Sequence, residues 1–176
     1  DTVYVIDSGT KSMKKFYRKS FVGSFLLSNA NANRFSLNDS LIFLSANTDS
    51  TSFLVIDIDH PNKQIPMGQV IHAKTPFKTI ISNRKHILYD KERGIFSVSD
   101  CYPYIEQYDV YGKHIKTFDL SSIPIIEKAV NTAKKFSDQE KSVYIYIRDA
   151  YLANEHIYIL CLSLIHISEP TRPRLI

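Results

Sequence analysis

Tryptophan is absent from these 176 residues, glycine occurs five times and cysteine twice. Each scarcity removes a class of chemistry. Five glycines scattered singly leave no Gly-rich loop to cradle a phosphate. Cys101 and Cys161 stand far apart, each inside strand-like sequence. That is neither a metal-ligand spacing nor a disulfide framework, and buried free thiols are expected. His60, His72, His86, His114 and His156 show none of the short intervals that zinc sites use. No serine sits in a nucleophile-elbow pattern, and no apolar run approaches the length of a membrane span. The sequence therefore singles out no catalytic, cofactor-binding or metal-binding residue.

What is present points to strands. Eleven Tyr and ten Phe accompany a 44% apolar content, and Tyr, Phe, Ile and Val suit pleated, half-buried surfaces. Charges are plentiful and mixed, with a net of +4, which argues against disorder. Basic residues gather near the start at Lys11, Lys14, Lys15, Arg18 and Lys19. Such a run can bind nucleic acid or a membrane surface. It equally serves as a solvated strand edge, where lysines discourage edge-to-edge pairing. No nucleic-acid motif accompanies it, so the strand edge is preferred and no nucleic-acid partner is expected.

Short apolar segments separated by polar turns predict strands over 2–7, 14–18, 41–46, 53–59, 78–82, 86–90, 95–99, 105–110, 114–119, 143–148 and 156–161. Four of them look alike, beginning at Val3, Leu41, Ile95 and Ile157. A closer likeness joins the stretch from Phe35 to Leu44 with that from Tyr151 to Leu160. A repeated unit of several short strands favours a propeller over a sandwich or barrel, with the four similar strands innermost in their blades. One segment breaks the pattern. Over 122–136 a helix is expected, capped by Ser122, with Pro124 in its first turn. Ile125, Ile126, Ala129, Val130, Ala133 and Phe136 would share one face. Such a helix either binds a partner or covers a blade edge, and the second use is the commoner.

The stretch from Gly94 through Asp100, Tyr104, Tyr108-Asp109 and Gly112 to Asp119 resembles a blade of the NHL-like and TolB-like six-bladed propellers. In that pattern a strand ending in Asp precedes a strand closing on an aromatic-Asp pair and a Gly turn. The resemblance implies an all-β, partial β-propeller of about three to four antiparallel blades over residues 1–161. It further implies a bacterial exported protein, periplasmic or associated with the outer membrane, with a lipid anchor possible in the parent. The function implied is binding or scaffolding without catalysis, through an unknown protein or small-molecule ligand on a loop face. Two alternatives are a propeller hydrolase or lactonase whose site lies mostly in other blades, and an intracellular sensor propeller used for protein contacts. No cofactor is expected.

Candidate polar groups are few. Asp57 and Asp59 fall on the same side of a strand beside His60, so they could hold a cation or share a proton. A strand ending in a polar turn before Pro61 explains them as well, and a hard cation wants more oxygens than this. Asp7, Asn47 and Asp100 follow apolar strands and could face a common loop side, although turn formation accounts for each.

Residues 162–172, LSLIHISEPTR, resemble the codon-for-codon translation of a transposase adapter used in DNA sequencing. The competing reading is a natural strand followed by a Pro-containing tail. The adapter reading makes 162–176 an artefact and ends the genuine sequence at Cys161. Without Arg172, Arg174 and Glu169 the body keeps 20 basic and 17 acidic residues.

Overall fold

The computed structural model describes residues 1–28, 34–38, 40–46, 50–136 and 144–161. The expectations for Asn47 and for 162–176 lie outside these residues. The first three strands, β1 (Thr2–Asp7), β2 (Ser12–Tyr17) and β3 (Ser20–Leu26), form an antiparallel meander. A second meander has four strands, β4 (Arg34–Leu37), β5 (Leu41–Ser45), β6 (Phe53–Asp57) and β7 (Gln64–Met67). Helix α1 (Pro76–Ser82) follows. The third meander comprises β8 (Lys85–Asp90), β9 (Gly94–Ser99), β10 (Tyr104–Tyr108) and β11 (His114–Asp119). Helix α2 (Pro124–Phe136) then leads to the hairpin of β12 (Ile147–Ala153) and β13 (His156–Cys161). Consecutive antiparallel meanders stacked face to face make an all-β partial propeller.

The stacking explains the apolar runs. Alternate residues of each strand meet opposite neighbours, so a strand between two sheets is apolar on both sides. In β5, Ile42 and Leu44 join Met13, Leu54 and Ile56 against the first sheet. Phe43 points the other way and joins Phe53, Val55, Met67, Ile87, Ile95 and Tyr108 between the second and third sheets. A third cluster binds the last hairpin to the third sheet: Leu88, Phe96, Val98 and Ile105 meet Tyr146, Ile147 and Ala150. Completely burying a side chain such as Phe43 contributes about 1.5–3 kcal/mol. Helix α2 adds Ile126 and Ala129 to this third cluster, with Val130 packed beside them. It therefore covers a blade edge, while Ile125 lies exposed. Its first helical bond runs from the Glu127 amide to the Ile123 carbonyl, which puts Ile123 rather than Ser122 at the cap.

The second-to-third interface also encloses a charged pair. Lys85 is wholly buried, its Nζ 3.0 Å from Glu106 Oε2 and 3.3 Å from the Tyr104 hydroxyl. Burial pulls the Lys85 ammonium below its usual range, and the Glu106 carboxylate opposes that pull.

Three features correct the sequence reading. Residues 78–82 are helical, not a strand. Thr75 caps α1 by accepting the Lys78 amide, Pro76 opens it, and the Asn83 side chain accepts the Ile71 amide through Oδ1 and donates to the Ile71 carbonyl through Nδ2. Local capping thus overrides the alternation of Thr79, Ile80 and Ile81. Strands β3, β4 and β7 were unforeseen, and the strand expected over 143–148 instead starts at Ile147 and runs to Ala153, with 144–146 outside it. Strand β3 is interrupted by a bulge opposite Lys15 and Phe16, and β7 carries Pro66, which an edge strand tolerates. Finally, the four similar strands are β1, β5, β9 and β13, and the last three stand second in their sheets. The strands before them, β4, β8 and β12, are the ones that approach one another, β8 packing against both of the others.

Candidate functional site

Where β4, β8 and β12 converge, a cleft of about 520 Å³ opens. Its walls are Ile6, Arg34, Phe35, His86, Ile87, Leu88, Arg148, Asp149 and Ala150. Three sheets supply its charged groups: Arg34 begins β4, His86 is the second residue of β8, and Arg148 and Asp149 open β12. The Ser36 hydroxyl donates to the Ile87 carbonyl and pins β4 to β8 beside the cleft.

Asp100 organises these groups from below. Its carboxylate is fully buried, with Arg34 Nη1 at 2.7 Å from both oxygens. His86 Nε2 lies 3.1 Å from Asp100 Oδ1 and 3.0 Å from Arg34 Nη1. On the other side of the ring, Nδ1 is 3.4 Å from Asp149 Oδ1. A protonated Nε2 donates to Asp100, whereas a bare one accepts from Arg34. The Asp100 backbone is tied down as well. Its amide donates to the Arg84 carbonyl, and its own carbonyl accepts the amides of Tyr146 and Ile147. Charge buried among fixed partners in this way gives a rigid wall.

Strand β12 contributes Arg148, Asp149 and Ala150 to the cavity, and a register shift lies between Ile147 and Asp149.

Of the residues picked out from sequence, Asp100 alone reaches this cluster. Asp7 closes a turn instead, accepting the Gly9 and Thr10 amides and pairing with Lys14. Asp57 accepts the amides of Asp59 and His60 and contacts the His60 ring at 3.2 Å. Strand β6 stops at Asp57, so Asp57 and Asp59 do not converge. Among the described residues, no group of three or more His, Cys, Asp or Glu side chains could hold a metal. Cys101 and Cys161 are free thiols, and burial pushes the Cys101 thiol up to about 12.

Arg34, His86, Arg148 and Asp149 escaped the sequence reading as a group. They lie in three different sheets, and only the packing of β4, β8 and β12 brings them together. One signal existed: the likeness between 35–44 and 151–160 covers the β4–β5 and β12–β13 hairpins, whose first strands frame the cleft.

No family model matches this chain, and neither does any curated protein or solved structure.

Proposed function

We propose that the chain is a binding propeller whose ligand, a small molecule, enters the inner-strand cleft. The convergence of three sheets on one cavity carries this reading. About 520 Å³ suits a small molecule, and its charged groups are held by a buried carboxylate rather than left on mobile loops. His86 has a carboxylate at each end of its ring, with Arg34 also at Nε2. That favours holding a ligand over moving its protons. With the likeness to exported TolB-like propellers, the proposal extends to a bacterial protein held at or near the outer membrane.

A fragment screen by NMR on the full chain tests the reading. Hits should shift the amides of residues 34–37, 86–88 and 147–150, and His86→Ala should remove those shifts. Fragments that bind only elsewhere, or none that bind at millimolar concentration, would sink it.

A further inference from the structure

We infer that the ligand of the cleft is a monocarboxylate with an apolar body, and that Arg148 receives its charge. This rests on the binding reading above and names the class of molecule bound.

The wall mixes hydrocarbon with charge: Ile6, Phe35, Ile87, Leu88 and Ala150 are five of its nine lining residues. A ligand filling it must bring apolar surface, which a bare inorganic anion lacks. The charged groups are unequally committed. The Arg34 guanidinium is engaged by Asp100, and His86 lies between Asp100 and Asp149. Arg148 is exposed and makes no ion pair among the described residues. It is the one cationic wall group without a carboxylate.

The local backbone supports this. Arg148 lines the cavity beside Asp149 at the register shift of β12, and bulges are over-represented next to functional sites. A guanidinium on the wall of such a cleft pairs with a planar carboxylate through charge-assisted hydrogen bonds. Asp149 then sets the selectivity, because its carboxylate repels a second negative charge and disfavours dianions.

The test uses four probes that share a phenyl ring: phenylacetate, phenylacetamide, phenethylamine and phenylmalonate. Each is titrated into the full chain and into Arg148→Gln, with cleft amide shifts as the readout. Phenylacetate is expected to bind at least about tenfold more tightly than the other three. Arg148→Gln should weaken phenylacetate about tenfold or more, the loss expected for one hydrogen bond to a charged group. It should leave phenylacetamide unchanged, and Arg148→Lys should restore much of the phenylacetate affinity. Circular dichroism checks that the variants fold, which the exposure of Arg148 favours.

If the amide, the amine or the dianion binds as well as phenylacetate, the ligand class falls while the binding reading survives. The same holds if Arg148→Gln leaves phenylacetate unmoved. If no probe shifts the cleft amides, the ligand class falls, and the fragment screen alone decides the binding reading.

Discussion

At the scale of single residues, the molecule buries more charge than its size requires. Lys85 and Glu106 face each other between two sheets, with the Lys85 ammonium 4.7 Å above the Tyr104 ring as well. Removing one member of such a pair leaves an uncompensated charge in a dry interface, whereas removing both replaces the pair with packing. Glu106→Leu is therefore expected to destabilise the fold by about 3–5 kcal/mol. The double variant Lys85→Met/Glu106→Leu should recover most of that loss. Urea denaturation of the three proteins measures the cycle. A double variant no more stable than the single one would show that the pair is not the source. Among the described residues, the Ser97 and Ser52 hydroxyls are buried without a protein partner. The interior thus carries polar groups beyond the ion pair, and replacements that touch one another will not act independently.

At the scale of elements, aspartates at strand ends shape the turns. Asp7, Asp57, Asp90 and Asp119 each accept backbone amides two or three residues beyond the strand they close. Hydrogen bonding holds all four carboxyls below their ordinary value; the Arg93 side chain brings Asp90 down to about 2. A carboxyl depressed in the folded state contributes stability above its unfolded value of 3.8, and loses it as pH falls through the folded value. The urea midpoint should stay level from pH 7 to 5 and decline between about pH 4 and 2. Asp90→Asn should flatten part of that decline. A midpoint that ignores this window would separate the turns from stability. These turns were legible in the sequence because the side chain and the amides it binds are neighbours in the chain. The apolar strands and the helix at 122–136 were legible for the same local reason. Facing was harder to read. Aligning β5 with β1, β9 and β13 places Ile42 opposite Tyr4, yet in β5 it is Ile42 and Leu44 that face the preceding sheet. In β13 that role falls to Ile157 and Ile159. A shift of one residue reverses a strand. The cleft was illegible because its charged groups are neighbours only after the sheets have stacked.

At the scale of the whole molecule, four sheets make three covered interfaces and leave two faces open. Val3, Val5 and Phe21 stand 43–58% exposed on the first sheet, and Tyr151, Tyr158 and Leu160 56–68% exposed on the last hairpin. Apolar faces of this kind are covered wherever the other sheets meet, so in isolation they favour association. Light scattering of the chain should show a mass that rises with concentration, and Tyr158→Lys combined with Leu160→Lys should lower it. A monodisperse monomer at every concentration would contradict this. Asp100 has a role at this scale too. It grips an arginine from the second sheet with its side chain and two amides at the start of the last hairpin with its carbonyl. Peeling that hairpin away must tilt Asp100, and the tilt pulls on a guanidinium two sheets distant. An occupant of the cleft would therefore brace the seam beneath it, like a keystone set from above.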